Sequence, residues 1–257
     1  MVKKFISEFV GTMLLVIFGC GTAVAIYKIL ASGSSSTEFL GQLRIIYSGL
    51  FVALAFGLIL MALVYTIGKV SGCHVNPAIS LACLIDGRMK VLEFVYYVIA
   101  QLLGGICGAL VLSWFFGGST NLGANGFEAA SALGKTITTP IAFVVEIVLT
   151  FVFALVVLSV TKKDSKANGI IIGLTLAVVH IFGLPFTGTS VNPARSLGPA
   201  LLMKGTALEQ VWVFILAPLV GAALAALFYK FVVADKEEEV FEEVEEKPAK
   251  KTVRKAK

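Results

Sequence analysis

Twice in this chain an Asn-Pro-Ala triplet opens a short apolar stretch: Asn76-Pro77-Ala78 at the head of residues 76–85, and Asn192-Pro193-Ala194 at the head of residues 192–202. Proline fits the first turn of a helix, where its missing N–H has no partner to lose, so each triplet reads as a helix start. A helix start presents unpaired N–H groups and the positive end of the dipole, equivalent to about half a charge. Two such ends facing each other, each carrying a carboxamide, would donate hydrogen bonds to a polar neutral molecule and repel a cation. The competing reading, two Asn caps in surface loops, leaves the recurrence of the triplet unexplained.

The recurrence extends well beyond the triplets. At an offset of 116, residues 57–105 align with 173–221 without a gap, and 16 of these 49 positions are identical. Matches include Gly57/Gly173, Gly72/Gly188, Val75/Val191, Ser80/Ser196, Glu93/Glu209 and Gly105/Gly221, and Glu8-x-x-x-Thr12 recurs as Glu146-x-x-x-Thr150. Identical halves can hold a pore open, but a filter needs unlike groups, and the repeat breaks where such groups stand. Arg195 faces Ile79, His180 faces Val64, and Phe56 faces Ile172. A guanidinium deep in a membrane is costly unless it lines water, where its five fixed donors and permanent charge orient water and exclude cations. His180 has a second reading as a core histidine satisfied by backbone. His74 reads as a brace of the first loop or as a substrate contact. Glu8 and Glu146 read either as acceptors for loose loop N–H groups or as relays of a proton-coupled transporter.

The elements that position these residues follow from composition. The chain has 257 residues, 58% hydrophobic and 14% charged, and a mean hydropathy of +0.93, against about 45–50% apolar and about 25% charged in soluble domains. Residues 235–257 hold 8 of the 16 acids and 7 of the 21 bases. The body is therefore a polytopic membrane protein whose partner is the lipid bilayer, and soluble enzymes, nucleic-acid binders and disordered chains are excluded for it. Six segments reach the roughly 20 apolar residues a bilayer requires: about 6–30, 47–68, 91–116, 140–160, 168–184 and 208–233. Lys3, Lys4, Lys69, Arg88, Lys90, Lys162, Lys163, Lys166 and Lys230 fall on one face, Lys28, Arg44, Lys135, Arg195 and Lys204 on the other, which predicts cytoplasmic termini. The segments headed by the triplets are too short to cross, at about 15 Å for ten residues. They read as re-entrant half-helices meeting tip to tip as a seventh span. Three full spans per half turn the second copy over in the membrane and place the site at the repeat interface. The fold expected is all-α: six transmembrane helices and two re-entrant half-helices in an inverted repeat. Its channel domain covers 1–234, with the repeats at about 5–116 and 140–233, and a charged tail at 235–257 reads as disordered and cytoplasmic.

Over residues 4–233 the sequence resembles the aquaporin family, the major intrinsic proteins. Residues 71–78 (Ser-Gly-Cys-His-Val-Asn-Pro-Ala) and 189–196 (Thr-Ser-Val-Asn-Pro-Ala-Arg-Ser) are similar to its two signature loops, and the likeness is strongest to its bacterial water-selective branch. The resemblance implies a six-helix bundle with one pore per protomer, a homotetramer, and an inner-membrane location in a prokaryote. It further implies that Phe56, His180, Thr189 and Arg195 form an aromatic/arginine constriction, with Thr189 contributing its carbonyl, and that Glu8 and Glu146 brace the loops. Glycerol-conducting relatives carry a small residue at the place of His180 and Asp after the arginine, where Ser196 stands here. Leu197 and Ile215 depart from the family pattern outside the constriction.

The function expected is passive, single-file, water-selective conduction with exclusion of protons and ions. A glycerol or small-solute facilitator is the first alternative; an inverted-repeat secondary transporter would need a cluster of intramembrane acids that Glu8 and Glu146 alone do not supply. No cofactor is implied, and the two distant histidines make no metal site. Cys20, Cys73, Cys83 and Cys107 suggest no disulfide framework. Cys73 aligns with Thr189, so pseudo-symmetry places it beside the pore as a possible mercurial site or as a small apolar spacer. The Ser-rich stretch within 31–44 is expected to form a flexible loop.

Overall fold

In the computed structural model, which describes residues 1–32, 38–128, 136–163 and 165–234, the first apolar segment forms α1 (Val2–Leu15), one π-helical turn (Val16–Cys20) and α2 (Gly21–Ser32). The other long helices are α3 (Glu38–Ser71), α5 (Val91–Phe116), α6 (Thr139–Val160), α7 (Asn168–Thr187) and α9 (Gly205–Phe228), the last continued by a π turn (Tyr229–Ala234). Between them sit two short helices, α4 (Pro77–Ile85) and α8 (Pro193–Met203). Among the described residues, six helical stretches are long and apolar enough to cross a membrane. In lipid a helix satisfies its own backbone, which is why uncharged runs of this length adopt it. Trp114, Phe115, Phe18, Val144, Phe182 and Phe231 stand exposed on the outer surface, a surface suited to acyl chains.

The packing has two-fold character. α1 lies on α5 as α6 lies on α9, α3 crosses α7, and each short helix packs against the last long helix of the other half, α8 on α5 and α4 on α9. At 1.5 Å per residue the nine residues of α4 and eleven of α8 reach about 14 and 17 Å, which together match a hydrocarbon core of about 30 Å. The α3/α7 crossing needs its repeated glycines: a Cβ on Gly57 would lie 2.5 Å from the Gly173 carbonyl oxygen, and one on Gly173 2.6 Å from that of Gly57.

Three expectations shift in detail. The gapless register fails after the short helices: Gly104 abuts the Phe9 carbonyl and Thr12, while Gly221 abuts the Ile147 carbonyl and Thr150. Gly104, not Gly105, is thus the counterpart of Gly221, because the second copy carries one residue more between its Asn-Pro-Ala triplet and this glycine. The loop expected over 31–44 is narrower, since α2 continues to Ser32 and α3 begins at Glu38; residues 33–37 lie outside the described residues, as do Lys135 and the tail 235–257. Helix ends also differ from the apolar segments, with α3 running to Ser71 and α7 to Thr187, because a helix ends where its hydrogen-bond ladder stops and not where hydropathy falls.

Candidate functional site

The two triplets meet. Asn76 caps α4 by accepting from the Ala78 N–H (2.9 Å), and Asn192 caps α8 by accepting from Ala194 and Arg195 (3.0 and 3.3 Å). Each amide also crosses to the other half: Asn76 Nδ2 donates to the Val191 carbonyl (2.7 Å) and Asn192 Nδ2 to the Val75 carbonyl (2.9 Å). An amide nitrogen carries two hydrogens, so each Asn retains one N–H after this crossing bond. Both residues line the same narrow lumen.

The loops entering the short helices are bent to make this possible. After Gly72 and Gly188, themselves at φ +82° and +72°, Cys73, Val75, Thr189 and Val191 all have φ between 44° and 52°. For β-branched residues such a conformation costs about 1–3 kcal/mol each and persists only where the surroundings enforce it. Two buried carboxylates do so. Glu8 accepts from Ser71 Oγ (2.6 Å), His74 N (3.0 Å), Val75 N (2.6 Å) and Gln101 Nε2 (2.8 Å). Glu146 accepts from Thr187 Oγ1 (2.6 Å), Ser190 N (2.9 Å) and Val191 N (2.9 Å). Carboxylate acceptors of this kind form the stronger, charge-assisted class of hydrogen bond. The arrangement consumes the oxygens that a proton relay would have to free.

Phe56, His180 and Arg195 lie together at one level of the lumen. The Phe56 and His180 rings stack with centroids 4.3 Å apart and planes at 22°, and Arg195 Cζ stands 5.0 Å from the Phe56 centroid. The π turn in the first span brings Gly19 beneath the Phe56 ring, where any side chain would overlap it. His180 Nδ1 lies 2.8 Å from the Leu176 carbonyl; a carbonyl only accepts, so Nδ1 carries the proton and Nε2 is left as an acceptor. Nε2 has no partner among the described residues. Arg195 is 3% exposed. Its Nη1 donates to the Gly123 carbonyl (3.0 Å) and to Asn125 Oδ1, and its Nη2 to the Gly188 carbonyl (3.4 Å). Its Nε has no partner among the described residues. Thr189 differs: it is fully buried, with its side chain against Gly183. Leu60, Phe153 and Leu176 supply apolar wall.

On the Lys4 side a solvent-open vestibule, bordered by Lys4, Lys69, Cys73, Cys83 and Arg88 among others, shares Leu60, His74 and Phe153 with the lumen. Cys73 is 5% exposed on that wall. His74 touches both readings given to it, since it lines lumen and vestibule and also holds the loop through Ser80 Oγ (3.1 Å) and an edge contact to Tyr97. The second half repeats that brace as Ser190 Oγ to Ser196 Oγ (2.6 Å).

Several participants were not legible in the sequence. Gln101, also bonded to Ser80 (2.9 Å), and Tyr97, whose hydroxyl donates to the Ser71 carbonyl (2.8 Å), sit in an apolar helix with no motif to mark them. Asn125 accepts from both Arg195 and Ser196 (2.8 Å to the latter), yet it lies in the connection between the halves and has no repeat counterpart.

Comparison with known proteins bears on this geometry. The family model described as Major intrinsic protein matches residues 1–229. Aquaporin Z of Rhodopseudomonas palustris is 37% identical over 236 residues, covering 89% of this chain and 92% of the relative. Aquaporin Z of Bradyrhizobium diazoefficiens is 36% identical over 238 residues, covering 90% and 93%. Among solved structures, the X-ray structure of the aquaglyceroporin from Plasmodium falciparum aligns with a TM-score of 0.77 at 23% identity, covering 93% of this chain and 99% of that one. The last is a likeness of fold.

Proposed function

This chain belongs to the major intrinsic protein family, a family of channels rather than enzymes, and from that membership we propose that it is a passive, water-selective transmembrane channel. The observation that carries the reading is the narrow lumen lined by Asn76, Asn192, Phe56, His180 and Arg195. Water passes in single file down its osmotic gradient. At the centre, the remaining N–H of each Asn donates to the passing oxygen, so that this water's own hydrogens point away along the lumen. The two helix N-termini meeting there place positive potential against cations and protons.

At the constriction, Arg195 supplies donors and a permanent charge, His180 Nε2 an acceptor, and Phe56 an apolar wall. The Thr189 carbonyl completes the ring. A stacked imidazole occupying this level leaves room for water and too little for a three-carbon polyol. Glu8, Glu146 and His74 brace the loops that carry the two Asn residues, and Cys73 is the thiol that a mercurial reaches from the vestibule. The protein acts as a homotetramer with one pore per protomer, its termini cytoplasmic, in the inner membrane of a bacterium; the bacterial sources of both Aquaporin Z relatives support that setting.

The test is stopped-flow light scattering on reconstituted vesicles, first with an impermeant osmolyte and then with glycerol, beside protein-free liposomes. The reading requires accelerated shrinkage in the first and no re-swelling above the lipid background in the second. Glycerol flux well above background would make the protein a polyol facilitator, and unchanged water flux would overturn the channel reading.

A further inference from the structure

Arg195 is held from outside the repeat. Its two oxygen acceptors on the connection between the halves, Gly123 and Asn125, belong to a stretch whose Leu122, Asn125 and Phe127 are all buried. At its start Leu122 N donates to Met203 Sδ (3.3 Å), and two further anchors follow. On the filter side, the Thr187 carbonyl accepts from Gly126 N and from Asn125 Nδ2, both at 3.2 Å. On the far side stands Gln210, buried on the first turns of α9. Its Oε1 accepts from Phe127 N (2.9 Å) and its Nε2 donates to the Phe127 carbonyl (3.1 Å).

One side chain thus satisfies both backbone groups of one residue, as a neighbouring strand would. One helical turn on, Phe214 receives the Phe127 ring at 6.0 Å, edge to face, and its carbonyl accepts from Ser190 Oγ (3.3 Å). With Ser196 donating to Asn125 Oδ1 (2.8 Å), Ser190 divides its one proton between Ser196 Oγ (2.6 Å) and that carbonyl. The Gln210/Phe214 face of α9 seats Phe127, and Asn125 two residues earlier seats the guanidinium.

We infer that Gln210, which borders no part of the lumen, is a positioning residue for selectivity: its clamp on Phe127 sets where Asn125 and Gly123 present their oxygens, and so fixes Arg195 across the bore. The inference rests on Arg195 being the filter residue. A guanidinium freed from those acceptors swings, and the constriction widens for part of the time. Water, already small enough, gains little; a larger neutral solute gains much. Loss of the clamp therefore raises the ratio of glycerol to water permeability. A residue serving only stability would lower the yield of folded protein and scale both fluxes alike.

The experiment reconstitutes the full-length parent, Gln210→Ala, Asn125→Ala, the double variant and Arg195→Val, and measures water and glycerol permeability per folded protomer. Gln210→Glu is included because it keeps the volume and the acceptor for Phe127 N while losing the donor to the Phe127 carbonyl, and it covers the case in which the alanine variant fails to fold. The expected result is a severalfold rise in the glycerol-to-water ratio for Gln210→Ala and Asn125→Ala, a smaller rise for Gln210→Glu, and a double variant whose rise falls short of the sum of the two singles, because Gln210 acts on Arg195 largely through Asn125. An unchanged ratio in the Gln210 variants beside a raised one in Arg195→Val overturns the inference and leaves the filter intact. Additive effects in the double variant overturn it too. If Arg195→Val itself leaves the ratio unchanged, the filter reading fails, and the inference with it.

Discussion

Asn76 and Asn192 each donate a hydrogen bond to the carbonyl that immediately precedes the other, Asn76 to Val191 at 2.7 Å and Asn192 to Val75 at 2.9 Å. The two halves of the chain are therefore joined at their centre by the same residues that cap the short helices and line the lumen. One side chain serves as cap, strut and lumen wall.

Replacing either Asn by Ala removes a cap worth about 1 kcal/mol and a crossing bond worth about 1 kcal/mol net, and leaves a carbonyl of the opposite loop unpaired. We expect a lower unfolding temperature in detergent and reduced water flux for each single variant. Because both struts brace one joint, the Asn76→Ala/Asn192→Ala double variant should destabilise by an amount that departs from the sum of the singles. Strict additivity would show that the two bonds do not share a joint.

The carboxylates brace the loops by accepting, so turning one oxygen into a donor is more damaging than removing charge alone. Glu146→Gln sets an NH₂ against the Thr187, Ser190 or Val191 donors; a buried donor left without an acceptor costs about 1–3 kcal/mol. Glu8→Gln should cost at least as much, since Gln101 adds a fourth donor there. Thermal unfolding and the yield of folded protein measure the effect. Full stability with altered proton leak would instead favour the relay reading.

The stacked rings of Phe56 and His180 line the lumen. His180→Ala removes the ring and its acceptor, and should raise glycerol permeability by about tenfold, the equivalent of about 1.4 kcal/mol off the barrier, while water flux is retained. Vesicle re-swelling in a glycerol gradient reads this directly. A variant that stays closed to glycerol would place the narrowest point elsewhere.

Cys73 borders the vestibule on a backbone already held at φ 52°. A mercurial added from that side should inhibit water flux in the parent and not in Cys73→Ser. Persistent inhibition in the variant would assign the effect to another thiol, with Cys83 on the same wall as the next to replace.

The sequence by itself determined the architecture and the central site, because both depend on signals that a linear chain displays. Apolar length dictates how many helices cross, a proline after an asparagine marks a helix start, and a repeated pattern implies symmetry. Arg195, His180 and Phe56 were legible as breaks in that symmetry. Tertiary structure decided how those residues are held. The π turn that sets Gly19 under Phe56, the one-residue slip that makes Gly104 the partner of Gly221, and the Asn125, Gln101 and Gln210 contacts all arise between segments distant in the chain. Single polar residues on apolar helices or in a non-repeating connection carry no periodicity, and their role exists only once packing removes water and each buried donor must find an acceptor.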